Sequence, residues 1–160
     1  MAATTRNSTL YANLYVNLYL GDARNIRGRV QPFPFSHTVI SGETGGASAG
    51  VQDKVNLTVI PKGYEVIDLI FKSNALWASA GTNGTLQIGD SGDDDRYMTA
   101  TELYSTESPL PSEGTVRVGL AFAGQNYVTT ADTIVVATYK VANPVVGKIY
   151  KGVLLCIPGT

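Results

Sequence analysis

The sequence is poor in the groups that most chemistry requires. Among its 160 residues there is one histidine, His37, one cysteine, Cys156, and one tryptophan, Trp77. A single cysteine excludes an intrachain disulfide and any cysteine-built metal cluster. Zinc sites draw on several His and Cys side chains, so a zinc centre has no ligand set here. A Ser/His/Asp triad would have to recruit His37 from the Pro-rich stretch "RVQPFPFSHTVIS", where no nucleophile motif surrounds it. No phosphate-binding glycine motif occurs. Charge is also scarce, at 16% of residues with a formal net charge of −1, against roughly 25% in average proteins. That balance gives no electrostatic attraction to nucleic acid or to an anionic membrane surface. Arg24, Arg27 and Arg29 read as a solvated loop. No run approaches the roughly 20 apolar residues of a membrane helix. The start, "MAATTRNST", has no apolar signal core, so synthesis in a cytoplasm without signal-directed export is expected. The N-x-S/T triplets at Asn7, Asn56 and Asn83 then have no glycosylation role, and no cofactor is expected.

What the chain does have is strand periodicity. In "LYANLYVNLYLGD", residues 10–22, Leu10, Ala12, Leu14, Val16, Leu18 and Leu20 alternate with Tyr11, Asn13, Tyr15, Asn17 and Tyr19. A two-residue period is that of a strand, whose successive side chains point to opposite faces. The aliphatic face predicts core. Tyrosine offers large contact area, little side-chain entropy to lose and a hydroxyl for polar edges. The Tyr/Asn face is therefore an interface candidate, with cover by the protein's own second sheet as its alternative. Residues 1–9 carry one charge, Arg6, and no large apolar anchor. They read as a flexible arm that orders on a partner, which adds Arg6 to the interface candidates.

Further strands are expected at Val55–Val59, Val66–Phe71, Thr115–Phe122, Thr133–Val141 and Ile149–Ile157. Pro32 and Pro34 lack backbone donors, which places their segment at a sheet edge or in an extended loop. Asn83-Gly84 suits a hairpin turn. "SGETGGASAG", residues 41–50, reads as a mobile loop, and residues 93–105 offer one or two turns of helix. Asp68 interrupts an apolar strand and needs a partner if buried. Eight or nine short strands between Gly/Pro/Asn turns predict an all-β fold: an antiparallel β-sandwich or jelly roll over residues 10–160, following the arm.

The densest chemistry is "GDSGDDDRY", which gathers Asp90, Asp93, Asp94 and Asp95. Three readings stand: turn formation and capping, a hard-cation site made of oxygen ligands, or an ion pair to another subunit's arginine. The spacing does not match an EF-hand loop. Adjacent aspartates on one loop do not straddle a sugar as a glycosidase pair does.

Residues 86–101, "LQIGDSGDDDRYMTAT", resemble a pattern in small all-β virion proteins of tailed bacteriophages: a strand, then G-D-x-G-D-x-D-R followed by Tyr or Phe. Gly89, Asp90, Gly92, Asp93, Asp95, Arg96 and Tyr97 carry the likeness, about a tenth of the chain. The resemblance implies a capsid decoration, or cement, protein: commonly a homotrimer, seated outside the expanded head and bridging major capsid protein subunits. It implies no catalysis and defines no binding residues. Its rivals are a receptor- or sugar-binding module of a tail or head fibre, with Trp77 as the stacking group; a jelly-roll hydrolase; and another head or tail subunit.

Overall fold

A computed structural model of the chain describes residues 5–7, 30–45, 53–73, 84–103, 115–116, 124 and 127–159. Among these lie strands β1 (Thr5–Asn7), β2 (Gln31–Thr38), β3 (Lys54–Ile60), β4 (Tyr64–Ser73), β5 (Thr85–Gly89), β6 (Met98–Glu102), β7 (Thr115–Val116), β8 (Thr133–Lys140) and β9 (Ile149–Pro158). They form two sheets, ordered β1-β3-β8-β5-β6 and β2-β9-β4-β7. The pairings are antiparallel except that of β1 with β3. The fold is all-β and sandwich-like, with inward side chains of both sheets in one core.

The strands follow from the alternation. In β2, Phe33, Phe35 and His37 turn inward while Pro32 and Pro34 face solvent. Among the described strands β2 pairs only with β9. The two prolines share one parity, so their missing donors fall on the same side of an edge strand, where they cost least. The apolar segment Val66–Phe71 lies inside its sheet, as β4 between β9 and β7. Asp68 sits at a register shift in that strand, half-exposed, where its carboxylate accepts from the Leu69 amide at 2.9 Å. The bulge turns it away from the core that an unbroken strand would have imposed.

Phe35 and Phe71 both stand opposite Gly152 of β9, with ring centroids 6.5 Å apart. The glycine leaves room for the Phe35 ring to close over the β9 backbone.

Two expectations are corrected. The described part of the helix anticipated over 93–105 is not helical: residues 93–97 form a turn and Met98–Glu102 is strand β6. Met98 is buried and Thr99 and Ala100 face out, while Tyr97 donates its amide to the Ile88 carbonyl at 2.9 Å. Pairing along β5 outweighs the modest helix propensity of this stretch. The described half of the 41–50 loop is anchored: Glu43 is buried, Thr44 N donates to Asp53 Oδ2 at 2.8 Å, and Gly45 N donates to Asn143 Oδ1 at 2.9 Å. Thr5–Asn7 of the expected arm pair with Lys54–Asn56. The Tyr/Asn ladder, the three-arginine group, Trp77 and the Asn83 turn position lie outside the described residues.

Candidate functional site

The aspartate loop leaves β5 at Gly89 and re-enters the sheet at Met98. A Cβ at Gly89 would come within 2.1 Å of the Asp93 carbonyl oxygen, so the loop folds back more tightly than any side chain allows. Asp90 is its hub and is buried. Its Oδ1 accepts from the amides of Gly92 at 2.8 Å and Asp93 at 3.1 Å. Its Oδ2 accepts from Arg96 Nε at 2.7 Å and the Tyr97 hydroxyl at 3.1 Å. Its own amide donates to the Asp93 carbonyl at 2.8 Å. Four donors occupy both carboxylate oxygens, which compensates the desolvated charge.

Arg96 also lies over the Tyr127 ring, 3.8 Å from guanidinium carbon to centroid, a distance suited to cation–π attraction. Tyr97 is fully buried. Burial first, then the Asp90 charge and hydrogen bond, push its phenol above the ordinary tyrosine range.

Asp93, Asp94 and Asp95 are half-exposed, with carboxylate oxygens within 4.8 Å of one another. A hydrogen bond that its protonated form donates to the Asp93 carboxylate, slight burial and the charges of Asp93 and Asp94 raise the Asp95 carboxyl above its usual range. Asp94 pairs with Lys140 of β8 at 2.9 Å. Of the sequence readings of this loop, turn formation is the one the geometry exhibits. Asp90 organises the turn, and Asp94 ties it to the sheet.

The structure brings together a second cluster that the sequence did not reveal. His37 Nε2 lies 2.8 Å from Glu43 Oε1, with both side chains buried. Glu43 Oε2 accepts from the Tyr139 hydroxyl at 3.0 Å, which lies 3.2 Å from the Tyr150 hydroxyl. The Tyr139 and Tyr150 rings meet edge to face. Among the described residues no nucleophile completes this group, and His37 Nδ1 is buried with no hydrogen-bond partner there. Glu43 was hidden because it sits in a small-residue loop 96 positions before its tyrosine partner in the chain. A lone acid beside a lone histidine was the one available signal. Cys156 is equally inert, buried with its thiol pushed up to about 12.

Burial is the first cause of the raised pKa of Tyr97, Tyr139 and Tyr150 alike. The folded chain therefore retains protons that the unfolded chain releases above about pH 10. Stability falls as pH rises past that point, by up to roughly 1.4 kcal/mol per pH unit for each of these tyrosines. Phenolate absorbance at 295 nm should appear for them only together with the unfolding seen by circular dichroism. Titration of all the tyrosines in a still-folded chain would contradict this burial.

The frame around these clusters is an all-β sandwich, and similar folds occur among solved structures. A chain from the capsid of Ralstonia phage GP4 superposes with a TM-score of 0.68 at 19% identity, over 98% of this chain and 99% of that one. A chain of the cyanophage Pam1 capsid asymmetric unit gives a TM-score of 0.54 at 20% identity, over 89% and 96%. At such identity the likeness is one of fold. No protein-family model matches the sequence, and no curated protein matches it.

Proposed function

We propose that the chain is a structural virion protein, not an enzyme, and more narrowly a decoration protein. It binds as a homotrimer to the outer surface of a tailed-phage head and stabilises the mature shell. The observation that carries this reading is the end-to-end match to a chain of a phage capsid, 98% of one chain on 99% of the other. The G-D-x-G-D-x-D-R-Tyr loop adds to it as a turn organised by the buried Asp90 carboxylate.

The mechanism is adhesion. A protein that binds only the expanded lattice stabilises that state by mass action. The Tyr/Asn ladder of Tyr11, Asn13, Tyr15, Asn17 and Tyr19, with Arg6 of the arm, is the assembly surface in this reading. Tyr15→Ala is expected to weaken assembly by about tenfold or more, as truncation of an aromatic anchor does, and to leave the monomer folded. An unfolded monomer would make that face core instead.

The test mixes purified chain with expanded and unexpanded shells that lack it. Saturable binding to expanded shells, with a raised rupture temperature, is expected. Absence of binding to either form would overturn the reading. Light scattering on the free chain tests the trimer.

A further inference from the structure

The outer face of the β2-β9-β4-β7 sheet differs from the polar face that a two-sheet sandwich ordinarily turns to water. Phe33, Phe35, Leu69, Phe71, Leu154 and Cys156 lie in the core, so the residues that alternate with them point outward. Register sets these outward residues in rows across β2, β9 and β4. The rows are Pro32, Leu155 and Asp68, then Pro34, Val153 and Ile70, then Ser36, Lys151 and Lys72. The first two rows form a band of aliphatic side chains, with the prolines exposed and the others half-buried. A contiguous apolar band on an outer face marks an interaction site.

The third row places Lys72 directly opposite Lys151. Like charges in that position repel across the ladder. Lys151 is exposed and Lys72 half-buried, and among the described residues neither ammonium has an ion pair. Among the described residues of this face the nearest acid along β4 is Asp68, four residues from Lys72. That separation is about 13 Å of strand, longer than the Debye length at physiological salt. Glu65 lies farther along the same strand. The couple is therefore a positive site that its own sheet does not neutralise.

The other outer face carries the opposite sign. Leu86 and Ile88 lie in the core, so Gly89 has its free side outward, and the backbone of Asp93 and Asp94 rests against that side. The half-exposed carboxylates of Asp93, Asp94 and Asp95 thus stand on the outer face of the β1-β3-β8-β5-β6 sheet. Asp132 shares a groove there with Ile134 and Val136, and Glu102 is exposed on β6. Among the described side chains these five carboxylates face three ammonium groups, Lys54, Lys62 and Lys140. Lys140 is already paired with Asp94, and the Arg96–Asp90 pair cancels itself. One face is aliphatic with a lysine couple; the other is acidic with Ile134 beside it, 41% exposed. Within one chain the core separates them, so only a second copy can bring them together.

We infer that a second copy of this chain covers the outer face of β2, β9 and β4, with its aspartate loop set on the Lys72–Lys151 couple. The contact joins a different patch of each copy, so it is heterologous and closes into a ring where the rotation allows. The inference rests on the self-association in the homotrimer reading. Its test is sedimentation of the full-length chain carrying Lys151→Glu, Asp95→Lys or both. Each reversal alone should weaken self-association by at least about tenfold. The double variant restores opposite charges across the contact and should return to within about threefold of the parent. All three should keep the parent's circular dichroism, since Lys151→Glu also replaces a like-charged cross-strand pair by an opposite one. If Asp95→Lys fails to fold, Lys151→Glu alone decides. Parent-like self-association of a folded Lys151→Glu chain overturns the inference and leaves the homotrimer standing. Single losses that a folded double variant does not repair also overturn it. So does lost binding to expanded shells by a Lys151→Glu chain that still self-associates, since the occupant is then the shell. A parent chain that stays monomeric overturns the homotrimer and this inference together, and its binding to expanded shells decides decoration separately.

Discussion

Asp90→Ala should destabilise the folded chain by about 3–5 kcal/mol, the usual cost of removing one partner from a buried ion pair. The Asp90 side chain is only 3% exposed and its Arg96 partner 15%, so solvent cannot replace what is lost. The substitution strips the acceptor from two amides, a guanidinium and a phenol at once. Arg96 would be left over Tyr127 without its carboxylate, and the Tyr97 hydroxyl would be stranded in the core. Urea denaturation measures the loss. Native-state hydrogen exchange locates it, with the Tyr97 amide on Ile88 among the first to lose protection. Asp90→Asn should cost less, because an amide oxygen still accepts from part of the set. If Asp90→Ala shifts the urea midpoint by less than the equivalent of about 1 kcal/mol, the loop is held by something other than this carboxylate.

Gly152→Val should be at least as damaging. A Cβ at residue 152 would lie 2.6 Å from the Ile70 carbonyl oxygen and 2.6 Å from Phe35 Cζ. The first neighbour is backbone of the adjacent strand, and the second is a ring fixed in the core. β9 pairs with both β2 and β4, so shifting it would disturb both ladders. The expected loss exceeds about 4 kcal/mol, at the far end of what single substitutions do. In a chain of ordinary stability that is enough to leave much of the population unfolded at 37 °C. Gly152→Ala, with the same first clash and less bulk beyond it, should fold with a lowered melting temperature. A Gly152→Val protein that melts like the parent would show that Phe35 does not occupy this space.

Most of the strands were readable because a half-buried strand writes its period directly into the chain. Val55–Val59 appears as β3, Thr133–Val141 as β8 and Ile149–Ile157 as β9, within a residue or two at each end. The edge position of β2 was readable too, because proline leaves a physical mark. The helix expected at 93–105 shows where local reading fails. Acidic residues before an amphipathic stretch look like a helix start. What decides is the free edge of β5, and no local pattern announces it.

Composition and periodicity by themselves determined the all-β class and the alternating aliphatic positions of β3, β8 and β9, because these follow from which side chains exist and how they alternate. Only the tertiary structure decided that Asp90 is a saturated hub, that Glu43 reaches from a glycine-rich loop into the core to meet His37 and Tyr139, and that Lys72 stands opposite Lys151 on one outer face. Each of these depends on residues far apart in the chain being brought within a few ångströms. The His37 cluster joins β2, the loop after it, β8 and β9, and the lysine couple joins β4 to β9. Such contacts are set by sheet order and register, which the two-residue period leaves open.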